Sequence, residues 1–361
     1  MLYVMLGFSL LAGIDKLLNN KYGLGNKFDE GFKAMGGLAI TIMGIYSLSP
    51  IIAKLVTPVL IPLSSMLFTD PSVFISSILA TDLGAYNTSI EIAKDPSVGI
   101  YNGIILASTL GATISFTVPV AINLISIKDF QYFAKGILAG IVTVPLGMII
   151  SGLMLRVSFL NIILNIFPVL IFSSLIAYGL IKAQDRIITI FKYLGRIILG
   201  ISTFGLLLNI LDYSLGIVLI KGMLPVEEGA MLVLSISIVL SGAYPMLYIV
   251  SRRLNKVLRR ITDRYDIDEY SILGLFSSLA SCLPMMGVYH EMNWKGKILN
   301  AAFAVSGAFV FGGQLGYVSS VAPETTNAFI VGKLVAGFAA LGVGYILIKM
   351  DMKGDGIRVE G

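Results

Sequence analysis

The stretch Ser76–Glu91, SSILATDLGAYNTSIE, holds the residues best suited to chemistry. It lies among long apolar runs, yet it carries Asp82, Asn87 and Glu91 together with the helix-weakening Gly84. A carboxylate at membrane depth costs about 2.5–3.5 kcal/mol on insertion scales, so such a residue is a functional-site hypothesis by default. A second copy lies at Ser277–Glu291, SSLASCLPMMGVYHE, where Ser77, Leu79, Ala80, Leu83 and Glu91 find matches in Ser277, Leu279, Ala280, Leu283 and Glu291. In a broken helix, Asp82 can bind a cation with help from carbonyls freed at the break. The competing reading is a carboxylate capping a half-helix N-terminus, where the dipole favours negative charge. Cys282 stands at the position matching Asp82 and offers no second carboxylate, so the site is chemically one-sided.

Other candidates surround Asp82. Tyr86 and Asn87 follow Gly84, and the tyrosine ring can face an ammonium as in cation–π binding; a packed aromatic is the simpler alternative. Asn102 and Asn300 are repeat-related and lie just inside the next spans. Each suits a substrate hydroxyl or amine, or an interhelical hydrogen bond of modest energy. Gln314, within Gly312-Gly313-Gln314-Leu315-Gly316, is a polar group at an expected helix end. Glu91 and Glu291 end the two stretches and serve as gates or second cation ligands, or simply sit in water at the interface.

The elements that hold these residues follow from composition. The 361 residues are 56% hydrophobic and 13% charged, against about a quarter charged in soluble domains. Runs of 18 or more apolar residues recur, as membrane-spanning helices require. The expectation is an all-α polytopic membrane protein of about nine to eleven transmembrane helices, with two broken or re-entrant segments. A net charge of +5 reflects basic loops obeying the positive-inside rule rather than nucleic-acid binding. One cysteine excludes an internal disulfide, and one histidine excludes His-pair metal motifs. No metal, cofactor, H-E-x-x-H, G-x-S-x-G or Walker loop is expected, and no enzyme activity. Met1–Leu18 reads as a retained first helix rather than a signal peptide.

Spans are expected at Ala34–Val56, with Pro50, Pro58 and Pro62 breaking the backbone at and beyond its end, then at Val98–Ile122, Phe133–Leu155, Phe159–Ile181, Ile190–Leu211, Gly229–Val250, Ile298–Tyr317 and Ala328–Ile348. The second special stretch, Ile272–His290, is expected to break at Pro284 and Gly287, and Arg252–Arg264 to form a basic loop. With that loop in the cytoplasm and both special stretches re-entrant, inside loops hold all of the 26 basic residues except Lys54, Lys94, Arg156, Lys221 and Lys333. This arrangement has nine crossings and a cytoplasmic C-terminus. Residues 1–361 form a single membrane domain: a first repeat over 30–155, connecting helices over 156–227 and a second repeat over 228–350. The halves are expected to be inverted, a transporter design in which discontinuous helices meet near the midplane. Gly-x-x-x-Gly spacing at Gly136/Gly140 and Gly312/Gly316 permits close helix contact.

Four runs carry a resemblance: Asp29–Gly36, Leu79–Gly84, Gly242–Met246 and Lys295–Ser306. In order, over nearly the whole chain, they resemble the EutH-type ethanolamine permeases of bacterial ethanolamine utilisation. The resemblance implies an inner-membrane protein that admits ethanolamine. The expected partners are the lipid bilayer and protonated ethanolamine, with no nucleic acid; a homo-oligomer is left open. The family pattern often has an Asp-His pair where this chain has Gly313-Gln314, and an Asn-Asn pair where it has Ser281-Cys282. That leaves Asp82 the safer site residue. Ethanolamine, a small cation with a hydroxyl, matches the menu of Asp82, Tyr86, Asn87 and Asn102. Two other functions remain open: an ion-coupled transporter of another small amine, with Asp82 as its proton or sodium site, and a membrane subunit that senses amine without moving it.

Overall fold

In the computed structural model, residues 2–354 are described, the side chains of 254–265 and a few others excepted. Among the described residues there are helices and no strands. They run α1 (Leu2–Leu17), α2 (Leu24–Lys33), α3 (Met35–Met66), α4 (Ser72–Ile78), α5 (Ala85–Ile92), α6 (Pro96–Tyr101), α7 (Val118–Leu124), α8 (Ile127–Met154), α9 (Phe159–Lys182), α10 (Gln184–Leu215), α11 (Val226–Tyr265), α12 (Glu269–Ala280), α13 (Cys282–Gly287), α14 (Trp294–Ser306), α15 (Gly313–Val321) and α16 (Thr326–Gly354). The chain is an all-α polytopic membrane protein. Seven of its helical stretches are long and apolar enough to cross a bilayer. Two of the nine expected spans are not among these seven single helices: α1 has 16 residues, and the expected span Ile298–Tyr317 is discontinuous. It ends as α14 at Ser306 and resumes as α15 at Gly313.

Other expectations also change. The three prolines do not end the second span; α3 runs through Pro50, Pro58 and Pro62. Proline inside a membrane helix is tolerated where a nearby hydroxyl takes over the freed carbonyl. Ser49 Oγ does this for Pro50, donating to the Tyr46 carbonyl at 2.7 Å. The polar segment before Lys33 is mostly helix α2, and the basic segment Arg252–Arg264 continues α11. The second break falls at Ser281 (φ −159°, ψ 138°) rather than at Pro284. Pro284 sits in the first turn of α13, where its missing N–H has no helical partner to lose.

The centre of the bundle is the run from α6 to α7. Between them the backbone widens into π-helix over Asn102–Gly111 and Thr113–Thr117. All of Asn102–Gly111 is buried. Its hydroxyls return to their own backbone: Thr109 Oγ1 donates to the Ile105 carbonyl and Ser115 Oγ to that of Gly111. Such back-bonding satisfies a hydroxyl where water is absent.

Helix α8 packs on α14 and α16. A Cβ added at Gly136 would lie 2.4 Å from the Ile298 carbonyl, and one at Gly140 would lie 2.6 Å from that of Ala302. This glycine pair therefore forms a real helix seam. Gly312 and Gly316 do not share one; they face Ala280 at the end of α12 and Ile236 in the N-terminal half of α11 respectively. Overpacking such a contact costs about 1–3 kcal/mol. Gly140→Leu is thus expected to lower the melting temperature in detergent by several degrees. Gly7→Ala, where nothing lies within 4 Å, should leave it unchanged.

Candidate functional site

The first special stretch forms two short helices joined by a 3₁₀ turn. Helix α4 ends at Ile78, Leu79 and Ala80 are extended, Thr81–Leu83 make the turn, and α5 starts after Gly84. Gly84 has φ +87°, a left-handed conformation that glycine adopts without the Cβ penalty. The Ala80 N–H, freed by the break, donates to Ser115 Oγ at 3.0 Å.

This turn projects Asp82 into a cavity of about 650 Å³. The cavity lies where both breaks meet: Ala80 and Asp82 line it from the first, Ala280 and Ser281 from the second, and Gln314 from the start of α15. Asp82 lies deep in the bundle, yet its side chain keeps accessible surface because the cavity opens onto it. Among the described residues, no other residue donates a hydrogen bond to its carboxylate and no ion pair reaches it. Lys333 is close enough to act on Asp82 through its charge. An unpaired carboxylate in a largely apolar cavity can bind a small cation. Phe116 and Phe309, one from each half of the chain, also line the cavity. They form an edge-to-face pair with centroids 5.6 Å apart, and their rings offer an ammonium further attraction. The lining also includes the exposed cations Lys33, Lys192 and Arg196.

Of the residues singled out in the sequence, Asp82 and Gln314 come together here. Tyr86 does not line the cavity; its ring packs edge-on to Tyr317 at 6.2 Å and its hydroxyl donates to the Val321 carbonyl at 3.3 Å. Asn87 donates to Ser49 Oγ at 3.5 Å. Asn102 and Asn300 are fully buried in the frame. The Asn102 amide donates to Ser72 Oγ and Asn165 Oδ1, each at 2.9 Å. The Asn300 amide donates to the Ser271 and Gly296 carbonyls at 2.9 and 3.0 Å. Glu91 and Glu291 are exposed, and Glu291 lies 3.1 Å from His290. Cys282 is buried outside the cavity lining. No cluster of metal-ligating side chains occurs among the described residues.

Two aspartates, Asp70 buried and Asp268 half-buried, clasp the broken segments in the same way. Asp70 accepts from the Ser72 N–H and Oγ at the start of α4 and from the Lys94 N–H beyond α5, at 2.9, 2.5 and 2.8 Å. Asp268 accepts from the Ser271 N–H and Oγ at the start of α12 and from the Asn293 N–H before α14, at 2.8, 2.9 and 2.5 Å.

Sequence reasoning misses Lys333. The loop-charge pattern leaves it as an exception, but it lies inside α16 with 1% of its surface exposed. Its ammonium donates to the Ser108 carbonyl and, at 2.9 Å, to Gln314 Oε1. A charge within an apolar span is the available signal. Phe116 and Phe309 carry none.

The family model described as "Ethanolamine utilisation protein, EutH" matches residues 1–347. A protein of Listeria monocytogenes named "Probable ethanolamine permease EutH" is 37% identical over 352 residues, 98% of this chain and 94% of that protein. One of Salmonella typhimurium with the same name is 34% identical over 97% of this chain and 95% of its own length. A Bacillus subtilis protein, "Uncharacterized protein YxeR", is 39% identical over 94% of this chain and 91% of its own length. No solved structure matches the chain.

Proposed function

This chain belongs to the EutH family of ethanolamine-utilisation proteins, and on that premise we propose that it is a permease carrying protonated ethanolamine across the bacterial inner membrane. The observation that carries the reading is the accessible, unpaired Asp82 carboxylate at a helix break inside a cavity. The ammonium binds Asp82, and the substrate's small size suits a site walled by Phe116, Phe309 and the two breaks. The names of the Listeria and Salmonella relatives support the substrate.

The two clasped, broken segments are read as the cores of two inverted halves, the first within residues 30–155 and the second within 228–350. Rocking one half against the other would expose Asp82 to each side in turn. The exposed cations of the lining, Lys33, Lys192 and Arg196, are assigned to the cytoplasmic mouth by the positive-inside rule, which makes this an inward-facing state with a cytoplasmic C-terminus. Three cations at that mouth repel an ammonium and so favour its release rather than its retention.

No coupled ion is required. An inside-negative potential contributes about 2.3 kcal/mol per charge per 100 mV, roughly a 50-fold accumulation. In proteoliposomes held at −100 mV by a potassium diffusion potential, labelled ethanolamine should accumulate to about that ratio without a proton or sodium gradient. Uptake that depends on such a gradient at clamped voltage would identify an ion-coupled transporter instead. Binding without flux would identify a sensor.

A further inference from the structure

Lys333 is a buried ammonium in a membrane helix, and such a charge persists only where partners hold it. Its partners here are the Ser108 carbonyl, on the π-helical run, and Gln314 Oε1, with the Phe329 ring 5.3 Å from the nitrogen. An ammonium only donates hydrogen bonds, so the end of the Gln314 amide that faces it must be the oxygen. The other end of the amide carries two N–H donors. Among the described residues none accepts from that nitrogen. Gln314 lines the cavity, whereas Lys333 does not. The turn that carries Asp82 packs against α15, the helix that carries Gln314.

We infer that Lys333 is a positioning residue: it locks the Gln314 amide with its N–H donors toward the cavity, where they read a hydroxyl on the amine bound at Asp82. This rests on the permease reading and deepens it, because it assigns the substrate class as amino alcohols rather than simple alkylamines. Ethanolamine and ethylamine share an ammonium and differ by the hydroxyl. Ethylamine at this site leaves the Gln314 donors without an acceptor, and sites built to bond a hydroxyl reject analogues lacking it.

The test is the ratio of Vmax/KM for ethanolamine to that for ethylamine in proteoliposomes. The wild type should prefer ethanolamine by about tenfold or more. In Gln314→Met and in Lys333→Met the ratio should fall toward unity. Lys333→Arg, which also only donates, should restore part of it. If Lys333→Met does not reach the membrane, Gln314→Met decides alone. A wild type that treats the two amines alike overturns the inference, as does a variant that loses uptake of both in proportion with the ratio intact. Wild-type vesicles with no ethanolamine flux overturn the permease reading itself, and this inference falls with it.

Discussion

Replacing Asp82 with Asn is expected to abolish ethanolamine uptake while the protein still reaches the membrane. The substitution keeps the size of the side chain and removes its charge. The carboxylate has no donor from any other described residue, so the 3₁₀ turn of Thr81–Leu83 does not depend on it. On the permease reading proposed above, what is lost is the partner for the substrate's ammonium. Truncating one member of a desolvated charge pair costs about 2–5 kcal/mol, or roughly 30- to 5000-fold in affinity. Lys333 complicates the outcome, since Asp82→Asn leaves this buried ammonium without a nearby negative charge. A double variant, Asp82→Asn with Lys333→Met, removes both charges. It should recover the thermal stability that the single variant loses, while uptake stays absent. Labelled uptake, beside a melting curve and a size-exclusion profile, separates the two effects. Asp82→Asn vesicles within threefold of wild-type uptake would exclude the carboxylate as the binding group.

The break around Asp82 is legible in the sequence because two local signals coincide there: a carboxylate too costly to leave idle among apolar residues, and a glycine needed at positive φ. The family is legible because its runs extend along the whole chain. Boundaries are less so. Proline rules derived from water predict a broken backbone at Pro50, but Ser49 hands the Tyr46 carbonyl a replacement donor. The second break lies at Ser281 instead of Pro284 because proline in a first helical turn costs nothing there. Asn102 and Asn300 show why a buried amide and a binding amide read alike in sequence; only the fold shows that their N–H groups are taken by Ser72, Asn165, Ser271 and Gly296, outside the cavity lining. Lys333 needs the fold most. Its meaning depends on Ser108, which is 225 positions away.

Gly312→Ala is expected to be nearly as damaging as the loss of Asp82, although it adds one carbon and no charge. The segment between α14 and α15 lies along the end of α12, with the Phe309 and Phe311 N–H groups donating to the Ser278 and Leu279 carbonyls at 2.9 and 2.8 Å. At the end of this contact, a Cβ on Gly312 would stand 1.8 Å from the Ala280 carbonyl oxygen, far inside the 3.0 Å that real Cβ atoms keep. Neither side can yield cheaply, because both are backbone held by hydrogen bonds. The first half has the same device: a Cβ on Gly111 would lie 2.4 Å from the Ser76 carbonyl, in the last turn of α4, and 2.1 Å from that of Leu79, at the break. Forcing either apart costs about 3 kcal/mol, the upper end for overpacking. It also displaces the break from the cavity wall to which Asp82 and Gln314 belong. Both Gly312→Ala and Gly111→Ala should therefore melt at lower temperature and lose most uptake. Gly287→Ala, at the end of α13 with nothing within 4 Å, should match the wild type in both measurements. Gly312→Ala with unchanged melting and uptake would mean that the contact between the breaks gives way freely, and that the cavity does not depend on how closely the two segments approach.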